Sequence, residues 1–288
     1  MSLNSRNSFF SKAFTLVELL VVIGIIALLI SILLPTLGKA RTSAKSVMSL
    51  SNLRQVGIGL AQYRVENRGL YPVASYASVA GRPRFRWADA IYSYMKSTEV
   101  YMSPQLSDDD RSRMNKPFHH TCDPAANPGI IAGKTIYWGG YGYNWQYLGN
   151  GRTTGGVDVF VAKEGAQIRK SAQTIAVADT HGSKNGGSMF TSEGVYVVDP
   201  PLMSVTLGSK GSRKTSATPG SGNYGYTGGA DGDLAHRSTP AERNGGKVAI
   251  LFCDGHGDAM TLKQLDDFNN DGQADNGWWN GKADPTVR

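Results

Sequence analysis

Between Phe14 and Leu37 the chain carries a single ionisable side chain, Glu18. The rest of that stretch is Leu, Val and Ile, broken only by Thr15, Gly24, Ala27, Ser31, Pro35 and Thr36. A run of about 20 apolar residues covers the hydrocarbon core of a bilayer as one helix, at ~1.5 Å per residue. In lipid the backbone must satisfy its own hydrogen bonds, so a lone span is helical. A membrane-spanning or membrane-extractable helix over 14–37 is the first expectation for this chain.

Glu18 makes the segment more than a greasy anchor. A bare carboxylate inside a bilayer costs about 2.5–3.5 kcal/mol, and less near an end. Yet no Lys or Arg lies between Phe14 and Gly38. The preceding residues 1–13 carry Arg6 and Lys12, no acid, and end on the small Ala13. An ordinary secretory signal is cut after its apolar core; here the small residue stands before it. Cleavage between Ala13 and Phe14 would create an α-amine four residues from Glu18 and supply the missing cation.

The stretch Ala13-Phe14-Thr15-Leu16-Val17-Glu18-Leu19-Leu20 resembles the processing motif of type IV prepilins and type II secretion pseudopilins. The resemblance implies that residues 1–13 are a leader, removed on the cytoplasmic side by a prepilin peptidase, and that Phe14 is then N-methylated. It also implies that Glu18 neutralises the terminal amine of a neighbouring subunit during assembly. Pro35 falls where that family often places a helix-loosening proline. The family's usual residue before the cut is Gly, where this chain has Ala13. The plain alternative is a signal anchor with an incidental Glu.

Beyond Leu37 the pattern changes to an amphipathic helix over 38–69. Val47, Leu50, Leu53, Val56, Leu60 and Tyr63 recur at steps of three and four, with Lys45, Asn52, Arg54, Gln55 and Arg64 between them. That spacing predicts one buried stripe. Gly57 and Gly59 weaken it by up to ~1 kcal/mol each relative to Ala. Gly69 suits a left-handed cap and Pro72 forbids continuation, so one helix runs from Phe14 to about Arg68. The runs Asn52–Leu60 and Asn67–Pro72 are similar to those of pseudopilin-like proteins abundant in planctomycetes. Many of these carry a Cys just before the Asn-Leu pair, where this chain has Ser49-Leu50-Ser51.

Residues 70–288 are enough for one globular domain. The net charge of +7 alone would allow a nucleic-acid partner. The basic residues are scattered, though, and no helix carries a basic stripe, so a specific nucleic-acid partner is not expected. Trp87–Met95 has helical spacing. Strands are predicted at Lys134–Trp138, Val157–Ala162, Thr174–Ala178, Gly194–Val198, Lys247–Cys253 and Asp258–Leu262. The run Val248–Cys253 is apolar on both faces and belongs inside a sheet. Residues 208–233, rich in Gly, Ser and Thr, read as a flexible surface loop. Gly139–Asn144 and Thr121-Cys122-Asp123-Pro124 resemble a Tyr-Gly-Tyr-Asn segment and a Cys-Pro turn of the same group. The fold class expected is α+β: pilin-like, a long N-terminal helix packed on a small antiparallel sheet with long loops.

Three further features bear on chemistry. Cys122 and Cys253 are either a disulfide on an oxidising face of the membrane or two separate buried thiols. His236, Asp254 and His256, with Asp179 and His181, are side chains a catalytic zinc would use. The resemblance offers a plainer account, because Asn244-Gly245-Gly246, Leu251-Phe252 and Asp254-Gly255-His256 match that group's ending: a buried His–Asp bond closing a turn. Asp267, Asn269, Asp271, Gln273 and Asp275 place oxygens at alternate positions around Gly272, as in the calcium loops of EF-hands and dockerins. The alternative for 267–275 is an acidic Asn-Gly turn, and Trp278 stands where such loops place their final acid.

The function these features imply is structural: a pilin or pseudopilin subunit with no chemistry and no obligatory cofactor, calcium aside. Its partners would be the prepilin peptidase, other subunits, the membrane and the assembly platform of a secretion or pilus system. It would sit as a single pass in the cytoplasmic membrane with its globular part outside, or in a filament at the cell surface. Two other readings stand beside it. One is an anchored module that binds polysaccharide or protein through its Gly-aromatic and acidic loops. The other is a metal-dependent hydrolase built on His236, Asp254 and His256.

Overall fold

The computed structural model describes residues 15–75, 86–97, 99–106, 140–151, 160–180, 197–202 and 240–287. The chain divides into two units, Met1–Ser43 and Ala44–Arg288. Helix α1 is Leu16–Glu66, within two residues of each expected end.

In the first unit every described residue is exposed, and the helix is long and apolar enough to cross a membrane. Pro35 lies inside it. Proline has no N–H to give the preceding turn, and two hydroxyls bond to carbonyls beside it. Ser31 Oγ donates to the Leu28 carbonyl at 2.7 Å and Thr36 Oγ1 to the Leu33 carbonyl at 2.8 Å.

In the second unit α1 supplies one wall of the core. Leu53, Val56 and Leu60 are buried, with Leu50 and Tyr63 packed beside them. Val47 departs from the expected stripe and is 68% exposed. Ser49 is buried in that turn instead, its Oγ 2.8 Å from the Tyr141 hydroxyl, so a polar contact starts the buried face where an apolar one was expected. Gly57 and Gly59 are points of close approach. A Cβ on Gly57 would stand 3.0 Å from Leu251 Cδ1 and 3.2 Å from Gly255 Cα, and one on Gly59 would stand 2.7 Å from Met95 Sδ. Helix α1 ends on two left-handed residues, Arg68 (φ 57) and Gly69 (φ 81), with the Gly69 N–H on the Arg64 carbonyl at 2.8 Å. That is the helix end expected at Gly69.

Helix α2, Trp87–Met95, forms where its spacing placed it and buries Trp87, Ala88 and Ile91. Trp87 stacks on Tyr143 at 5.5 Å and meets Tyr101 edge-on at 5.9 Å. The strands are β1 Tyr141–Asn144, β2 Gly149–Asn150, β3 Phe160–Val161, β4 Ile175–Asp179, β5 Val197–Val198, β6 Val248–Phe252 and β7 Gly257–Met260. Helices α3, Trp145–Leu148, and α4, Leu262–Asp266, follow β1 and β7.

The main sheet has the order β5-β1-β4-β6-β7, and β2 pairs with β3 separately. It is mixed where an antiparallel sheet was expected, because β5 runs parallel to β1 while the other pairs are antiparallel. The physical reason is connectivity. β5 follows β4 through residues 180–196 and lands beyond β1, a crossover that no tight hairpin imposes. Strand β1 is itself a correction, since Gly-aromatic residues expected in a loop form an inner strand. Gly142 permits it, as a Cβ there would meet the Val197 carbonyl oxygen at 2.5 Å.

The continuous apolar run of β6 is explained by two cores. Ala249 and Leu251 face the cluster containing Leu53, Val56 and Trp87. Val248, Ile250 and Phe252 face a second cluster with Leu265 and Trp279. Residues 134–138, 121–124 and 208–233 lie outside the described residues.

Candidate functional site

At the front of the chain Thr15 precedes the first helical residue and Glu18 stands three residues on. The Thr15 N–H and hydroxyl both donate to Glu18 Oε2, at 2.9 and 2.8 Å, and the Glu18 N–H returns to Thr15 Oγ1 at 3.2 Å. This is a reciprocal Thr-x-x-Glu capping box, which satisfies two of the N–H groups a helix start leaves open. Its sequence signal, Thr15-Leu16-Val17-Glu18, lies inside the stretch that resembles the processing motif. Ala13 and Phe14 lie outside the described residues.

The Asp-Gly-His ending forms a turn between β6 and β7. Asp254 Oδ1 accepts the His256 N–H at 3.1 Å and lies 2.6 Å from its Nδ1. Gly255 supplies the left-handed residue, φ +97. The His256 ring stacks on Phe252 with centroids 4.2 Å apart. A buried His–Asp bond was expected; the observed one is at the surface, with the two side chains 47% and 35% exposed. The four-residue return Cys253–His256 joins β6 to β7 and carries the Asp254 and His256 side chains to the surface. His236 and His181 lie outside the described residues.

Asp179 keeps other company. Its carboxylate is fully buried at the end of β4 and accepts Ser103 Oγ at 3.0 Å and the Arg243 guanidinium. Burial pushes this carboxyl up, and Arg243 opposes that shift. Arg243, directly before Asn244, is the cation of this ion pair.

Among the described residues Cys253 is a buried thiol with no disulfide partner. Burial pushes it up to about 12, which leaves little thiolate at neutral pH. It sits beside Tyr71, whose hydroxyl accepts from Arg64 Nη1 at 2.7 Å, and Arg64 also pairs with Glu164 at 2.7 Å. Cys122 lies outside the described residues, so the pairing of the two cysteines rests on sequence alone.

The acidic loop is closed on itself. Asp267 Oδ1 and Oδ2 accept the N–H groups of Asp271 (3.0 Å) and Gly272 (2.8 Å). Asn269 Oδ1 also accepts from the Asp271 N–H at 3.2 Å, and Asp271 Oδ1 accepts the Gln273 N–H at 2.7 Å. Asp275 accepts the Phe268 and Gly277 N–H groups at 2.8 and 2.6 Å. Gly272 is left-handed, φ +84, at the sixth position of the loop counted from Asp267. Oxygen ligands around a sharp glycine turn suit a hard cation such as Ca²⁺. Among the described residues no three His, Cys, Asp or Glu side chains converge on one point.

The aromatic residues behind the binding-module reading are structural. Tyr141, Tyr143 and Trp145 are buried, and the Trp145 indole donates to Asp199 Oδ1 at 2.7 Å. They are closed to a sugar ring, and Trp138 lies outside the described residues. Compared with protein-family models, curated proteins and solved structures, the chain matches none.

Proposed function

We propose that this chain is a pilin-like structural subunit. Its leader, residues 1–13, is cut before Phe14 by a prepilin peptidase, and the apolar half of α1 anchors it in the cytoplasmic membrane with the globular part outside. From there it assembles, with other subunits and a membrane platform, into a type II secretion pseudopilus or a type IV pilus-like filament. The observation that carries this reading is the division of labour along α1. Residues 16–37 are apolar and exposed on every side, whereas Leu53, Val56 and Leu60 of the same helix are core residues of a folded unit.

The mechanism is association. Exposed Leu, Val and Ile side chains stay soluble only in lipid or against the like helices of other copies. Glu18 lends one carboxylate oxygen to Thr15, leaving Oε1 for the amine of a neighbouring processed subunit. Pro35 removes one backbone hydrogen bond and gives the helix a place to bend as it leaves the bilayer. Recovery of the processed chain in filaments sheared from cells tests the proposal; a chain confined to the membrane fraction argues for a simple anchor.

A calcium ion held by Asp267, Asn269, Asp271, Gln273 and Asp275 is a separable part of the proposal. It is favoured by the left-handed Gly272 and the oxygen-only donor set, and would stiffen the C-terminal segment without chemistry of its own.

A further inference from the structure

We infer that Lys39 and Arg41 bind the headgroup phosphates of anionic glycerophospholipids at the bilayer face where α1 leaves the hydrocarbon. This rests on the membrane-spanning reading of α1 and names the partner of its outer end.

The apolar run ends at Leu37. From Leu16 it measures about 33 Å at ~1.5 Å per residue, against a hydrocarbon core of about 30 Å. Lys39 lies two residues further on, which sets its Cα about 3 Å beyond the apolar run, at headgroup depth. Both side chains are exposed, and no described residue engages either of them.

The helix itself offers no counter-ion, because no acid occurs from Leu19 to Val65. Gly38, Ala40 and Thr42 flank the two cations with small side chains, and Thr42 Oγ1 is turned back on the Gly38 carbonyl at 3.1 Å. At about 100° per residue the two cations project from opposite sides of the helix, so each meets a separate lipid. Their long aliphatic stems lie along the acyl boundary while the charged ends reach phosphate. The contacts fix the depth of α1, and they must be released when the helix is drawn from the bilayer.

The test uses the full-length chain in nanodiscs of equal phosphatidylcholine and phosphatidylglycerol. Lipids that stay on the chain after mild detergent extraction are counted by mass spectrometry. Phosphatidylglycerol should be enriched about fivefold, and the enrichment should fall to parity in Lys39→Ala/Arg41→Ala and in raised salt. Arg54→Ala, which removes one charge from the folded unit, should leave it intact. Parity in the unaltered chain, or enrichment that survives the double substitution, overturns the inference. Integration is read separately, by alkaline carbonate washing of neutral phosphatidylcholine vesicles. A chain that washes off overturns the span and this inference together. A chain that stays but shows no phosphatidylglycerol enrichment overturns this inference alone.

Discussion

Thr15 and Glu18 close a reciprocal cap, with two donors from Thr15 on a single oxygen of Glu18, Oε2. Glu18 therefore has a local task besides the one proposed for it in assembly, and the two can be separated. Gln at this position keeps the capping box but loses the charge; Ala loses both. The cap is worth about 1 kcal/mol of helix stability. If the charge orders neighbouring subunits, Glu18→Gln and Glu18→Ala should both abolish sheared filaments. Full filament yield from Glu18→Gln would reduce Glu18 to a capping residue.

Gly57 faces Leu251 and the backbone of Gly255, neither of which can withdraw far. Gly57→Ala should destabilise the folded unit by about 1–3 kcal/mol by overpacking, despite the gain in helix propensity. Gly59 faces the flexible end of Met95, so Gly59→Ala should be close to neutral. Thermal unfolding of the two variants in detergent checks the order; equal behaviour would contradict the packing described.

Asp89, buried near the start of α2, accepts the Arg86 N–H at 2.8 Å. Desolvation pushes its carboxyl up to about 7, against the opposing Arg86 bond and charge. The folded state thus holds the proton more tightly than the unfolded chain does. The stability this contributes is full below the ordinary carboxylate range and is lost as pH rises through about 7. The unfolding midpoint should therefore fall as pH rises from about 4 to about 7 and level off above that. Asp89→Asn should flatten that drop, and an unchanged profile in the variant would remove Asp89 as its source.

The acidic loop makes a plain demand on calcium. Millimolar Ca²⁺ should raise the melting temperature of the purified chain, and Asp271→Ala should abolish the rise. No shift at several millimolar would leave 267–275 as an Asn-Gly turn.

What could be read beforehand was whatever is local. The long apolar helix, the Gly69 helix end, α2 and β6 each announce themselves locally, by apolar run, cap or spacing. What failed was the choice of partner at long range. Tyr141-Gly142-Tyr143 reads as a loop until β5 is found against Gly142. Trp145 finds the acceptor for its indole, Asp199, 54 residues further along the chain. Asp179 stands two residues from His181 in the sequence, yet its cation, Arg243, comes from a distant turn. Val47 fits the helical stripe by spacing alone, yet the buried position in its turn belongs to Ser49, because a tyrosine hydroxyl waits there. Such pairings depend on which strands the topology brings together, and no periodicity encodes that.

The most direct measurement is the N-terminal residue and intact mass of the chain purified from membranes. The account expects a mature protein that begins at Phe14, N-methylated, with residues 1–13 gone. A product that still begins at Met1, or one cut after the apolar segment, would contradict it.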